Sequence, residues 1–113
     1  MKTKRYCKTL TLKDDPEVIE AYKKAHAAVW PEVKQGMKEV GILDMEIYIY
    51  GTRLFMIMET VPEFDHDLAM TELANKLRQA EWEAYVSQFQ DASAGSTADE
   101  KWKIMERIFK LSI

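Results

Sequence analysis

The sequence predicts an α+β domain in which one antiparallel sheet carries helices, in the order strand, helix, strand, strand, helix, strand. Three observations predict it. Stretches of alternating or continuous apolar residues are separated by stretches whose apolar residues recur at helical spacing. The chain-breaking residues Pro31, Gly41, Gly51 and Pro62 fall at the joints between those stretches. The length, 113 residues, fits one domain spanning 1–113.

Residues 4–12, with Tyr6, Cys7, Leu10 and Leu12 among threonines, read as the first strand. Asp14-Asp15-Pro16-Glu17 then starts a helix: an aspartate at the cap, proline at the first position, a carboxylate in the first turn. The spacing predicts a helix to about Val29 or Trp30. Pro31 forces a restart, since it has no N–H and restricts the residue before it. A second helical stretch, 32–40, stops at Gly41.

Residues 42–61 read as two antiparallel strands turning at Gly51-Thr52. In the first, Leu43, Met45, Ile47 and Ile49 share one face, and Asp44, Glu46 and Tyr48 the other. In the second, Leu54 to Met58 is an almost continuous apolar run, which predicts a strand buried on both faces or in the middle of a sheet. Residues 64–89 return to helical spacing as two helices meeting near Asn75. Leu68, Leu73, Leu77, Trp82, Tyr85, Val86 and Phe89 supply their apolar side. The segment 90–99 reads as a flexible loop. For 101–113 the pattern admits both a helix, through Trp102, Met105 and Phe109, and a strand.

That order is the split β-α-β of ferredoxin-like folds. A sheet covered by helices on one face needs cover on the other. A second copy of the chain is the simplest supplier, so a symmetric homodimer is expected.

Composition narrows the function. Hydrophobic residues make up 47% and charged residues 31%, enough for a core and a hydrated surface, and the net charge is only −3. No basic stripe interleaves with aromatics, so nucleic acid is not an expected partner. No run approaches the ~20 apolar residues of a membrane span, and the N-terminus lacks a signal-peptide apolar region. Cys7 is the single cysteine, which excludes an intrachain disulfide and suits the reducing cytoplasm. Phosphate-loop, metal-ligand and serine-elbow signatures are missing, so neither a metal nor a cofactor is expected.

The stretch that carries chemistry is 22–32, YKKAHAAVWPE. Tyr22, His26 and Trp30 stand at i, i+4 and i+8, along one side of a helix. A phenol, an imidazole and an indole in a row supply proton-transfer groups and a flat apolar surface of the kind that stacks on the C–H faces of sugars. The bland reading makes Tyr22 and Trp30 core aromatics and His26 a satisfied half-buried polar residue. His66, between Asp65 and Asp67, is explained as part of a solvated capping turn, and Glu32 by the first turn of its helix.

Tyr-x3-His-x3-Trp-Pro-Glu after a first strand, then a glycine stop and a strand with Ile47-Tyr48, resembles the L-rhamnose mutarotase family. The likeness runs from about Tyr6 to Leu111 and includes Trp82 on a later helix. It implies a ferredoxin-like fold pairing into a dimeric α/β barrel, with an exchanged C-terminal strand, which makes the tail a strand. It also implies roles: His26 as catalytic proton donor, Tyr22 as a sugar-binding tyrosine, and Trp82 as one of two adjacent sugar-contacting tryptophans. Two positions depart from the family. Met45 stands where its other sugar-contacting tyrosine falls, and Glu81 where the first of the two tryptophans falls.

The expected reaction is interconversion of the α and β anomers of a 6-deoxy-L-hexose, L-rhamnose or L-fucose. Ring opening requires a proton at the ring oxygen and removal of one from the anomeric hydroxyl. Imidazole, with a pKa of ~6.5, exchanges protons near neutrality without a cofactor. Glu81 would receive hydroxyl hydrogen bonds or serve as partner base, and Trp82 and Trp30 would stack on the sugar. Two other readings fit the same frame. One is a ferredoxin-like dimeric monooxygenase or haem-degrading enzyme in which the helix histidine ligates haem. The other is a sugar-binding module without catalysis.

Overall fold

The computed structural model describes residues 2–91 and 101–112. Its elements are β1 (Lys4–Thr11), α1 (Pro16–Ala27), α2 (Pro31–Glu39), β2 (Ile42–Tyr50), β3 (Arg53–Thr60), α3 (His66–Ala74), α4 (Gln79–Ser87) and β4 (Lys103–Ile104). The four strands form one sheet in the order β2-β3-β1-β4, and every neighbouring pair is antiparallel. This is the ferredoxin-like α+β architecture expected from the element order.

The joints follow local chemistry. The Asp15 carboxylate accepts from the Glu17 amide at 2.9 Å and Pro16 opens α1, so the cap lies where the sequence places it. α1 ends at Ala27, earlier than expected, because Pro31 excludes helical geometry just before it and Trp30 becomes the cap of α2. α2 stops at Gly41, whose φ of +103° is costly for any residue with a Cβ. Gly41 also ties α2 to the end of β3, since its carbonyl accepts from the Val61 amide at 3.0 Å.

The inner face of the sheet packs on the helices. β1 turns Lys8 and Leu10 inward, and β3 turns Leu54, Met56 and Met58 inward opposite them. Leu12, Val33, Phe64, Leu73, Trp82, Val86 and Phe89 complete the buried core. Lys4↔Thr60 through Thr11↔Arg53 sets the register, so each inward residue of β1 faces an inward residue of β3.

Several expectations are corrected. Leu43 does not share the inward face of Met45, Ile47 and Ile49. The register slips between Ile42 and Asp44, making Leu43 the extra residue of a bulge that leaves it exposed. β3 lies in the middle of the sheet, one of the two placements its apolar run allows, and the described residues bury one of its faces. Leu54, Met56, Met58 and Thr60 are buried, whereas Phe55 and Ile57 are half-buried on the outer face. Leu68 and Leu77 point to solvent, because α3 buries Ala69 and Leu73 instead and Leu77 lies between helices. His66 is not a solvated turn residue: its ring packs against Tyr6 with centroids 5.0 Å apart.

The tail is a strand rather than a helix, but a brief one. Ile104 pairs with Lys8, Lys103 with Thr9, and the Met105 amide donates to the Cys7 carbonyl at 2.7 Å. Beyond it, Ile108, Phe109 and Leu111 are 90%, 75% and 88% exposed. Of the expected 90–99 loop, residues 92–99 lie outside the described residues. Gln90 does not belong to a loose loop, since it is buried and bridges to Leu12.

Candidate active site

A cavity of about 510 Å³ lies between the inner face of the sheet and helices α1 and α4, a size ordinary for small-molecule sites. Its floor comes from the sheet: Met45 and Ile47 of β2, Met56 and Met58 of β3, and Lys8 of β1. α1 contributes Tyr22 and His26, α4 contributes Gln79, Trp82, Glu83 and Val86, and Trp102 comes from just before β4. Strand alternation explains the floor, and residues four apart on α1 explain the first wall. On α4, positions 79, 82, 83 and 86 recur at helical spacing, so they share one stripe.

His26 sits at the centre of an aromatic row. Its ring stacks on Tyr22 at a centroid distance of 4.2 Å and meets the edge of Trp82 at 5.4 Å. Its Nδ1 lies 3.0 Å from the Tyr22 carbonyl oxygen. A carbonyl only accepts, so Nδ1 carries the proton and donates it, and in the neutral ring Nε2 holds the lone pair. Burial pushes the imidazole pKa below its ordinary value, and the hydrogen bond to the Tyr22 carbonyl offsets this in part. At neutral pH His26 is therefore an uncharged ring with a basic Nε2.

Tyr22 is 3% exposed. Burial pushes its pKa up to about 12, moderated by the neighbouring Gln90 side chain, so the phenol keeps its proton and remains a donor. Among the described residues no group of three His, Cys, Asp or Glu side chains is placed to hold a metal ion.

The structure thus brings together Tyr22, His26, Met45 and Trp82, and it places Trp30 and Glu81 elsewhere. Glu81 is one helical step off the cavity stripe of α4. Its side chain is 65% exposed and pairs with Arg78 at 3.5 Å. Trp30 stands behind Trp82, with centroids 5.2 Å apart and planes at 74°. The Arg78 guanidinium lies over the Trp30 ring, 4.1 Å from its centroid. Trp30 therefore braces the wall instead of lining it.

Lys8, Gln79 and Glu83 line the cavity without having been singled out in the sequence. The signals were there. Lys8 is the charged member of the inward series Tyr6, Lys8, Leu10, Leu12, and Gln79 and Glu83 flank Trp82 at −3 and +1 on its helix.

The family model described as L-rhamnose mutarotase matches residues 5–111. The chain belongs to the L-rhamnose mutarotase family. It is 38% identical to an L-fucose mutarotase of Xanthomonas campestris pv. campestris, over 99% of this chain and 91% of that protein. Its fold matches the crystal structure of an L-rhamnose mutarotase from Formosa agariphila, with a TM-score of 0.71, 21% identity, and 96% and 98% of the two chains covered. A protein of Nitrosomonas europaea described as an antibiotic biosynthesis monooxygenase shares the fold less closely, with a TM-score of 0.57, 13% identity, and coverage of 96% and 95%. At those identities the two structural likenesses establish the fold alone. Mutarotase family membership assigns the chain to the isomerases that act on sugar anomers. No helix among the described residues is long and apolar enough to cross a membrane.

Proposed function

We propose that this member of the L-rhamnose mutarotase family exchanges the α and β anomers of a 6-deoxy-L-hexose in the cavity beside His26, with His26 as its acid–base group. The observation that carries the reading is the tautomer of His26. Its Nδ1–H is committed to the Tyr22 carbonyl, and burial keeps the ring neutral, so Nε2 meets the sugar as a base.

Nε2 takes the proton of the anomeric hydroxyl as the C1–O5 bond breaks and a C1 aldehyde forms. The imidazolium, steadied by its Nδ1–H bond, delivers that proton to the ring oxygen. Rotation about C1–C2 and reversal of the same transfers close the ring on the other face. His26 thus becomes the donor to the ring oxygen only after it has accepted. A positioned group of this kind contributes ~10²–10⁴-fold. Tyr22, protonated throughout, donates to a sugar oxygen near the reacting carbon, and Trp82 offers the stacking surface. The apolar floor around Met45 and Met56 suits the C6 methyl of a deoxy sugar. L-fucose and L-rhamnose are the substrates to compare, the first because of the Xanthomonas campestris relative and the second because of the family description.

A monooxygenase role has only the weaker fold likeness in its favour. The test is saturation-transfer NMR of both sugars at equilibrium. Exchange accelerated for either sugar supports the reading. Saturable binding of both without acceleration would make this a sugar-binding module.

We also propose a homodimer. Phe55 and Ile57 on the outer sheet face, with the exposed tail residues Ile108, Phe109 and Leu111, form apolar surface that a second copy would cover. Sedimentation equilibrium at micromolar concentration should give twice the chain mass, and a monomer would refute it.

A further inference from the structure

The cavity wall holds a polar group that neither the proton transfers nor the core uses. Gln79 opens α4, is 4% exposed and lines the cavity. Its Nε2 donates to a Glu83 carboxylate oxygen at 3.2 Å. A carboxylate accepts only, so this bond fixes which end of the amide is nitrogen and leaves Oε1 as the other end. That Oε1 is buried and has no hydrogen-bond partner among the described residues. A buried amide oxygen without a donor is costly, and native proteins rarely retain one without a use for it. Turning the Gln79 amide over offers no relief, because it would set the amide oxygen against the Glu83 carboxylate.

Resting on the mutarotase reading above, we propose that Gln79 is a substrate-binding and specificity-determining residue. Its Oε1 accepts a hydrogen bond from one ring hydroxyl other than the anomeric one, and Glu83 holds the amide in the receiving orientation. Gln79 lies one helical turn before Trp82 and lines the same cavity, on the stripe of α4 that carries the proposed stacking surface. A site built to hydrogen-bond a hydroxyl rejects the analogue lacking it, because the buried group is then left unpaired. Gln79 thereby reads hydroxyl configuration, the property in which L-fucose and L-rhamnose differ, while His26 acts on the anomeric centre they share.

The test compares wild type with Gln79→Leu, which keeps the volume and removes the amide. Anomer exchange is measured by saturation transfer with L-fucose, L-rhamnose and the 2-, 3- and 4-deoxy analogues of whichever sugar wild type turns over. Expected are a KM raised about tenfold, a hydrogen bond's worth, a kcat within about threefold, and a Tm equal to or above wild type, since an orphaned buried oxygen has gone. One deoxy analogue should bind both proteins equally, a coupling that a loosened fold does not produce. KM unchanged within twofold overturns the assignment. So does a lowered Tm with KM raised alike for every analogue, which marks a purely structural residue. Wild type that neither binds nor exchanges any of these sugars removes the mutarotase reading and this assignment with it. Active wild type with an unaltered variant removes this assignment alone.

Discussion

Replacing Arg78 separates backbone strain from side-chain clamping at the back of the candidate site. Arg78 precedes α4 with φ 63° and ψ 5°, a left-handed conformation that burdens every residue with a Cβ. Its guanidinium covers Trp30 and pairs with Glu32 and Glu81, each at 3.5 Å. A partly exposed cation–π contact contributes ~0.5–1 kcal/mol. The two long, half-exposed ion pairs add about 0.5 kcal/mol between them after solvent screening. Arg78→Ala forfeits these contacts and keeps the strain, for a loss of about 1–1.5 kcal/mol. For a chain of 113 residues, 1 kcal/mol corresponds to about 4 °C, so the melting point should fall by about 4–6 °C. Arg78→Gly forfeits the same contacts but relieves the backbone, a net return of about 0.5–1 kcal/mol after its looser unfolded chain is counted. Calorimetry should therefore place the glycine variant about 2–4 °C above the alanine variant. Both should exchange sugar anomers several-fold more slowly, because Trp30 no longer braces Trp82. A glycine variant melting at or below the alanine variant refutes the strain argument.

Two further outcomes follow from the same structure. Gly36→Ala gains helix propensity of ~0.8–1 kcal/mol, yet the new Cβ would stand 2.9 Å from the Lys76 Cβ. Overpacking of ~1–3 kcal/mol outweighs the gain, so urea titration should show a net destabilisation, whereas stabilisation would mean that the segment carrying Lys76 yields freely. For pH, the folded pKa of His26 lies below its ordinary 6.5. The unfolded chain therefore binds more protons in the window from about 6.5 down to the folded value, and stability is lost as pH falls through it. Urea midpoints against pH should show that slope in wild type and less of it in His26→Gln, and the kcat/KM of wild type should fall as pH drops through the same window.

The fold was largely legible because its punctuation is local. Asp15-Pro16, Pro31, Gly41 and the Gly51-Thr52 turn each act through their own backbone, and they fixed the element order and with it the sheet. What escaped depended on partners distant in sequence. The bulge at Leu43 exists only relative to β3, and the outward turn of Leu68 only relative to the sheet that α3 covers. The run Leu54 to Met58 cannot say from composition which of its faces is covered within one chain.

At the candidate site, spacing on one helix singled out Tyr22 and His26, a pattern that core residues also satisfy, and the family resemblance added Trp82 and Met45. The i+8 spacing places Trp30 on the Tyr22–His26 helix, but it caps the next helix instead. The family's paired tryptophans place Glu81 at the sugar, but a step of one residue on a helix turns a side chain by about 100°. That step places Glu81 in solvent with Arg78 and leaves Trp82 on the wall. Gln79 and Lys8 were missed for the converse reason. Polar residues at inward positions carry meaning only once the inward face is known.

The central claim is that His26, as a neutral base in this cavity, drives anomer exchange. It is tested most directly by saturation-transfer NMR on L-fucose and L-rhamnose with wild type and His26→Ala, each shown to be folded by circular dichroism. The account predicts rapid exchange of at least one sugar by wild type and a loss of roughly 10²-fold or more in the variant. A folded His26→Ala protein that exchanges anomers as fast as wild type would contradict it.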